Sequence, residues 1–254
     1  GFSTSAAQLG LPDTGQASYD DFVQAGRNIC SVVDIPVIGD GDTGFGNAIS
    51  LKRTVKGYAR AGFAAIMLED QVSPKRCGHV AGKQIVDRPE ALARIRAAVD
   101  ARNELEDLDI LILARTDARI QSFDEAITRC RLFAELGADI TFLEAPESEE
   151  EMVTYCQQVP GYKLANMLEH GKTPLVSHAR LQEMGYTIAA YPLTLLSAAM
   201  KAQLQVLQSL KEGGTSHLDQ ILSFEEVKRH VGFPEYFEEQ QRYAIPSDKA
   251  DPPK

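Results

Sequence analysis

The 254-residue chain contains no tryptophan, only four cysteines and no long apolar segment. None of its apolar runs approaches the roughly 18 residues that a membrane-spanning helix needs, so we do not expect a membrane protein. The cysteines are scattered without a CxxC pair, which in a chain of this length argues against a disulfide scaffold. No secretory signal is visible, and we expect a cytoplasmic protein, with import into an organelle left open.

An excess of positive charge is also lacking. The chain has 26 basic and 36 acidic side chains, a formal net charge of −10 and no basic block. Nucleic acid and anionic membranes are therefore poor candidate partners. Hydrophobic residues make up 44% of the chain and charged residues 24%, a composition typical of a folded protein, which excludes disordered and collagen-like classes.

Short apolar runs alternate along the chain with longer segments of helical periodicity. The predicted strands are Ile35–Gly39, Ala64–Leu68, Ile110–Ala114, Ile140–Leu143, Tyr162–Ala165 and Thr187–Tyr191. The predicted helices between and around them are Tyr19–Val32, Ile49–Ala61, Pro89–Asn103, Phe123–Leu136, Ser148–Gln158 and His178–Met184. Continuous apolar strands indicate burial on both faces and a parallel sheet, and the alternation predicts an α/β architecture.

Polar or special residues follow all six predicted strands: Asp40, Glu69, Arg115, Glu144, Asn166 and the pair Tyr191-Pro192. Any one of them could simply end a strand, but six in succession indicate a site. A (β/α)₈ barrel brings the carboxyl ends of all its strands to one mouth, whereas a doubly wound sheet brings only two or three together. We therefore predict an α/β fold with a TIM-type (β/α)₈ barrel over residues 1–210.

Six strands are two short of such a barrel. The chain starts with a small-residue segment, Gly1–Gly10, which we predict to be a loop, and we expect the first two barrel strands to precede Gly1. After Leu193 a helical pattern runs to about Leu210. Residues 211–254 are predicted to form a helical extension, with a last helix at Glu235–Arg242, that packs on a neighbouring subunit.

A turn with two aspartates follows the first predicted strand, in Asp40-Gly41-Asp42-Thr43-Gly44. Carboxylates two residues apart, with glycines that permit close backbone approach, favour a hard divalent cation. Glu69-Asp70 and Glu144 supply further oxygen ligands at the same predicted mouth. An Asx-rich turn without a metal stays the alternative.

A loop of about eighteen residues separates the second predicted strand from its helix and carries Pro74-Lys75-Arg76-Cys77-Gly78-His79. Loops of that length in a compact barrel are commonly lids or binding segments. Cationic neighbours favour the thiolate of Cys77 and can tune its pKa. The alternative reading is a basic surface loop.

Several motifs resemble the isocitrate lyase and phosphoenolpyruvate mutase superfamily, above all its short members of the methylisocitrate lyase, dimethylmalate lyase and oxaloacetate hydrolase group. The motifs that carry the resemblance are Lys75–His79 with Gly82-Lys83, Asp40–Gly44, Leu68–Gln71, Ala114–Asp117, Glu144–Pro146, Asn166–Glu169 and Thr173-Pro174. The resemblance implies the barrel, a Mg²⁺ site that Mn²⁺ could also fill, and a homotetramer (a dimer of dimers) whose last helix is swapped.

The resemblance also implies roles for individual residues. Asp40 would bind the metal directly, with Asp42, Glu69 and Asp13 acting through water. The implied catalytic residues are Cys77, Lys75, Arg115 and Glu69. The implied substrate-binding residues are Gly1, Phe2, Asp40, Arg76, Gly78, His79, Arg115, Glu144, Asn166, Thr173 and Pro192.

The expected reaction is the cleavage of a 2-hydroxy dicarboxylate, such as a 2-alkylmalate, 2,3-dimethylmalate or methylisocitrate, into a 2-oxo acid and a carboxylic acid. Cys77 would protonate the departing carbanion as general acid. We do not expect isocitrate to be the substrate, because the Ser-Phe-Asn-Trp segment of the long isocitrate lyases is replaced here by Asn166-Met167-Leu168-Glu169. Oxaloacetate hydrolysis, phosphonate chemistry and a catalytically silent homologue stay as alternatives, the last two disfavoured by Cys77 and by the full set of acidic residues.

Overall fold

The computed structural model describes residues 1–78 and 82–244. Within that part of the chain, six parallel strands form one sheet in sequential order: β1 Ile38–Asp40, β2 Ala65–Glu69, β3 Leu111–Thr116, β4 Ile140–Leu143, β5 Tyr162–Asn166 and β6 Ile188–Ala190. Each strand pairs with the next one along the chain, which is the arrangement of successive units in a (β/α)₈ barrel. The predicted fold class is confirmed, and the expectation of two further strands ahead of Gly1 stays a prediction.

Ten α-helices are present in the described residues. Their bounds are α1 Phe2–Thr4, α2 Tyr19–Cys30, α3 Ala48–Ala61, α4 Arg88–Asn103, α5 Phe123–Glu135, α6 Glu149–Gln158, α7 His178–Met184, α8 Thr194–Lys211, α9 Phe224–His230 and α10 Phe233–Arg242. Among the described residues, no helix is long and apolar enough to cross a bilayer.

Polar caps fix where most of the barrel helices begin. Asn47 caps α3, Asp87 caps α4 and Ser177 caps α7, in each case because a side-chain oxygen accepts a backbone N–H of the first turn. Gly62 and Gly185 end α3 and α7 in the left-handed conformation, which glycine adopts without steric cost. These signals are local, and the predicted bounds of α7 are therefore reproduced without change.

Two predicted elements differ from the structure. Gly1–Gly10 is helical rather than a loop, since α1 continues into a π-helix at Ser5–Leu9 that ends at left-handed Gly10. The first strand begins at Ile38 instead of Ile35, because Pro36 has no N–H to donate to a ladder and Ile35 is exposed. The other strands keep their places with shifts of one or two residues at their ends.

The central strands β2 to β5 are mostly buried on both sides, as the continuous apolar runs predicted, whereas β1 and β6 are partly exposed. In β3, Ile112 packs with α3 and α4 residues in the larger core, whereas its neighbour Leu113 packs with Ile140, Phe142 and Leu164 in a separate cluster. The second large cluster joins apolar residues of α5, α6 and α7. Because side chains alternate along a strand, one strand contributes to two cores at once.

The chain divides into two compact units, Gly1–Leu196 and Ser197–Lys254. All six strands belong to the first unit, and most of α8 together with α9 and α10 belongs to the second. The prediction that the C-terminal helices pack on a neighbouring subunit, in a homotetramer, stays a prediction.

Burial of β3 leads to a stability test in two matched variants. We expect Ile112→Ala to lower the free energy of unfolding by about 2–5 kcal/mol, because the fully buried side chain leaves a cavity. Ile49→Ala is the control, since Ile49 is 74% exposed at the start of α3 and its truncation should change stability by about 0.5 kcal/mol or less. Urea denaturation of both variants measures the difference, and equal effects would contradict this account of the core.

Candidate active site

The carboxyl ends of the six strands meet around a cavity of about 470 Å³. The predicted site residues that line it are Gly1, Phe2, Asp13, Asp40, Lys75, Cys77, Gly78, Arg115, Glu144, Asn166 and Pro192. They come from five strand ends, from the N-terminal segment ahead of α2 and from the loop after β2. The expectation that strand ends and loop converge on one mouth therefore agrees with the geometry.

Other predicted site residues lie outside this cavity lining. Asp42 and Glu69 are buried behind it, and Arg76 lines a neighbouring cavity of about 540 Å³ that shares Asp13, Lys75 and Cys77 with the first. Thr173 is buried, and its hydroxyl has no hydrogen-bond partner among the described residues. His79 lies outside the described residues.

The turn after β1 has an unusual backbone. Asp42 has φ 46° and Phe45 has φ 57°, a left-handed conformation that costs non-glycine residues of the order of 1–3 kcal/mol each. In this conformation the Asp42 N–H donates to Asp40 Oδ1 at 2.9 Å. This conformation holds Asp42 close to Asp40 at the end of β1. The surrounding fold must compensate for the cost of the backbone strain.

Lys75 lies among these carboxylates. Its Nζ is 2.5 Å from Asp13 Oδ1 and 2.9 Å from Asp42 Oδ1, with all three side chains almost completely buried. Burial disfavours the ammonium, but Asp40, Glu69 and Asp42 outweigh it and raise the pKa of Lys75 above its ordinary value. Burial and the charge of Asp40 in turn raise the pKa of Asp42 to about 6. The ammonium therefore offsets part of the repulsion between the carboxylates.

The carboxylates fit a divalent cation that keeps most of its water. Among the described residues, no three acidic, histidine or cysteine side chains lie close enough together to enclose a metal alone. Mg²⁺ commonly binds through one or two carboxylates and retains several waters, so such a cage is not required. One buried oxygen, Glu69 Oε1, has no hydrogen-bond donor among the described residues, as expected of an acceptor that faces a hydrated cation. Of the predicted metal ligands, Asp40 and Asp13 line the cavity, whereas Asp42 and Glu69 do not.

Three carboxylates surround the guanidinium of Arg115. Its Nε is 2.9 Å from Asp117 Oδ2 and 3.2 Å from Glu69 Oε2, and its Nη1 is 3.3 Å from Glu144 Oε2. Although burial opposes it, this environment raises the pKa of Arg115 further and keeps the guanidinium charged. Burial raises the pKa of Glu69 well above its ordinary value, with Arg115 opposing the shift.

The loop that carries Cys77 is tied to β2 by Gln71. The Gln71 side chain donates to the Arg76 carbonyl at 2.9 Å and accepts from the Arg76 N–H at 3.0 Å. A Cβ at Gly78 would lie 2.5 Å from Arg115 Nη2 and 2.6 Å from Glu144 Cδ, so the loop reaches these side chains only with glycine there. Cys77 is the one described cysteine on the cavity lining, since Cys30, Cys130 and Cys156 lie in helices.

Two buried aspartates support the site in ways that the sequence did not predict: Asp117 was given no role, and Asp70 was expected to be a further oxygen ligand of the metal. Asp117 pairs with both Arg115 and Lys83, and Asp70 accepts hydrogen bonds from Thr116 Oγ1, the Asp117 N–H and Arg129. The available signal is that Asp70 and Asp117 directly follow apolar strands, next to residues that were selected. Their partners are distant in sequence and could not be paired without the fold.

Comparison with known proteins places the chain in a family. Residues 2–211 match the family described as phosphoenolpyruvate phosphomutase. The 2,3-dimethylmalate lyase of Eubacterium barkeri is 43% identical over 247 residues, which cover 96% of this chain and 84% of that protein. The chloroplastic carboxyvinyl-carboxyphosphonate phosphorylmutase of Arabidopsis thaliana is 41% identical over 96% of this chain and 73% of its own length.

A solved structure shows the same fold. Oxaloacetate acetylhydrolase, in complex with the inhibitor 3,3-difluorooxalacetate, superposes with a TM-score of 0.89 at 34% identity, covering 98% of this chain and 84% of that one. The match in sequence and the match in fold confirm the resemblance inferred from the motifs. The chain therefore belongs to the phosphoenolpyruvate mutase and isocitrate lyase superfamily of enzymes.

Proposed function

We propose that the protein is a Mg²⁺-dependent carbon–carbon lyase that cleaves a 2-hydroxy dicarboxylate of the 2-alkylmalate type into a 2-oxo acid and a carboxylic acid. The observation that carries the proposal is that one cavity is lined by a thiol, a guanidinium and a carboxylate, in Cys77, Arg115 and Asp40. The similarity to 2,3-dimethylmalate lyase supports the same class of substrate.

The bound cation would supply Lewis-acid stabilisation for the oxygens of the substrate. Asp40 would hold it directly, with Asp42, Glu69 and Asp13 acting through water. The guanidinium of Arg115 binds a substrate carboxylate and stabilises the negative charge that develops as the bond breaks. Asn166, on the other side of the mouth, contributes an amide that can donate to the same ligand.

The reaction balances as a retro-aldol cleavage. Transfer of the hydroxyl proton to a base gives an alkoxide, which collapses to the carbonyl of the 2-oxo acid as the bond between the hydroxyl carbon and its neighbour breaks. The electron pair of that bond stays on the neighbouring carbon, conjugated with its carboxylate. Cys77 donates a proton to this carbon, and the proton removed from the hydroxyl restores the thiol.

Cys77 is better suited to this role than the other cysteines. Burial raises the pKa of Cys156 to about 11 and raises the pKa of fully buried Cys130 as well, so both thiols stay protonated. Neither residue lines the cavity. Cys77 instead lies on a loop beside Lys75, whose ammonium favours formation of the thiolate after proton donation.

Hydrolysis of oxaloacetate to oxalate and acetate is the second candidate, because oxaloacetate acetylhydrolase is similar in fold over most of the chain. In that reaction water would attack the ketone, and the same carbon–carbon bond would break. A substrate panel with Mg²⁺, assayed separately for 2-oxo acid and for oxalate, discriminates between the candidates. Release of 2-oxo acid from a 2-alkylmalate is the expected result, whereas oxalate from oxaloacetate alone would favour the hydrolase, and rearrangement of a phosphonate substrate would contradict both.

The metal prediction is tested with Asp40→Asn. This variant keeps the size of the side chain and removes its charge, so we expect it to lose Mg²⁺ binding in calorimetry and Mn²⁺ binding in electron paramagnetic resonance. EDTA should abolish turnover of the wild-type enzyme, and added Mg²⁺ should restore it. Asp34→Asn, at an exposed aspartate ahead of the same strand, is the control and should bind the metal normally. Unchanged metal affinity in Asp40→Asn would contradict the assignment.

The general-acid prediction is tested with Cys77→Ser. Serine has nearly the same size but is a far weaker acid, and loss of a general acid costs about 10²–10⁴-fold in rate. We therefore expect kcat to fall by that factor while Mg²⁺ affinity is retained. Cys30→Ser makes the same chemical change in α2, away from the cavity lining, and should leave kcat within about threefold of wild type. Normal turnover in Cys77→Ser would show that the thiol has no role in proton transfer.

A further inference from the structure

The carboxylate of Asp117 is shared by two cations from different parts of the chain. Its Oδ1 is 2.7 Å from Lys83 Nζ and 3.2 Å from Arg115 Nη2, and its Oδ2 is 2.9 Å from Arg115 Nε. Lys83 belongs to the segment after β2, and Arg115 lies on β3. Burial would raise the pKa of Asp117, but the two cations outweigh it and lower that pKa to about 2, so the carboxylate is ionised at neutral pH.

Lys83 and Asp117 are placed to act through Arg115 and not on a ligand. The side chains of Lys83 and Asp117 are 4% and 0% exposed, and neither residue is among the described residues that line the cavity. Arg115 does line it. Of these three linked groups, only the guanidinium can touch a bound molecule.

The backbone on the Asp117 side is fixed independently of Lys83. The Asp117 N–H donates to Asp70 Oδ1 at 2.8 Å, and the Thr116 hydroxyl donates to Asp70 Oδ2 at 2.5 Å. Arg129 pairs with the same Asp70 oxygen at 3.0 Å, with both side chains 2% exposed. Asp117 is therefore a fixed acceptor, and the cations that it binds adjust to it.

The charge balance around Arg115 gives Lys83 its importance. The guanidinium lies within 3.3 Å of carboxyl oxygens of Asp117, Glu69 and Glu144. Lys83 neutralises part of the charge on Asp117 from the side away from the cavity. Without Lys83, Arg115 would be the one cation paired with buried Asp117 among the described residues, and the guanidinium would be drawn more strongly onto it and away from an incoming anion.

We propose that Lys83 is a positioning residue that, through Asp117, holds the guanidinium of Arg115 in the orientation that binds a carboxylate of the substrate. The inference deepens the proposed function and rests on it in one respect, namely that the ligand is a dicarboxylate. Because Lys83 also lies next to the bridge between Gln71 and Ile85 that closes the Cys77 loop, the same ion pair links that loop to the end of β3.

The test uses Lys83→Met, Lys83→Arg, Asp117→Asn and the double variant Lys83→Met/Asp117→Asn, with oxalate as the probe in the presence of Mg²⁺. The control is Lys56→Met, which removes a lysine that is paired with Glu104 on the surface. Calorimetry gives the Kd for oxalate, and kinetics on the substrate found active give KM and kcat. A charge-assisted contact corresponds to about a 10- to 100-fold effect on binding.

We expect Lys83→Met to raise the Kd for oxalate and the KM by about that factor, and kcat should fall as well, because Arg115 also stabilises the charge that develops in the reaction. Lys83→Arg should restore binding to within about threefold of wild type, and Lys56→Met should not differ from wild type. In the Asp117→Asn background, Lys83→Met should have little further effect, because a neutral amide needs no second cation. If Lys83→Met does not fold, Lys83→Gln takes its place, since its amide can still donate to Asp117.

Wild-type affinity in Lys83→Met, or an equally large effect in the Asp117→Asn background, would overturn the inference. So would a loss confined to kcat. If the wild-type enzyme binds no oxalate and cleaves no dicarboxylate, the proposed function fails. Crystal structures of Lys83→Met and Lys83→Arg then test the positioning role of Lys83 separately. A guanidinium that moves in the methionine variant and returns in the arginine variant supports the inference, and one that stays in place in both overturns it.

Discussion

The site depends on compensation between buried charges of opposite sign. Asp13, Asp42, Glu69, Asp117 and Glu144 are nearly inaccessible to solvent, and an unpaired carboxylate in such a position would be too costly to keep ionised. Lys75 neutralises one group of these carboxylates, and Arg115 with Lys83 neutralises the other. The stability of this arrangement and the anion binding proposed for it therefore have the same origin, since both require the cations to be held in fixed positions by the fold.

The parallel sheet is what brings these charges together. In the register of β2 and β3, Glu69 lies opposite Arg115, so the acidic and the basic side chain at the two strand ends become neighbours. β1 pairs with β2 and ends at Asp40, and the strained turn that follows adds Asp42. The helices outside the sheet bury the apolar faces of the strands, and they leave the strand ends to the loops. Stability and chemistry are thereby assigned to different residues of the same strands, Ile112 and Arg115 of β3 being one example.

Much of this arrangement could be read from the sequence because its signals are local. The apolar run Ile140–Leu143 and the helix His178–Met184 have the predicted bounds, as each is limited by a strong terminator or cap. The residues that follow the strands could be identified as site candidates because a barrel brings the carboxyl ends of all its strands to one mouth. Gly1–Gly10 was predicted wrongly, since small polar residues carry little preference of their own and the segment is helical in its folded context. The pairing of Lys83 with Asp117, 34 residues away, was out of reach because it depends on how two connections pack.

The acidic surface of the protein and its buried ion pairs respond differently to ionic strength. With a net charge of −10, the molecule repels a dianionic ligand at long range, and dissolved salt screens that repulsion over a Debye length of about 8–10 Å. The pairs formed by Arg115 and Lys75 are shielded from solvent and are screened much less. Salt therefore accelerates the encounter with an anion and leaves its recognition nearly unchanged, so association rate and dissociation rate are controlled by separate parts of the molecule.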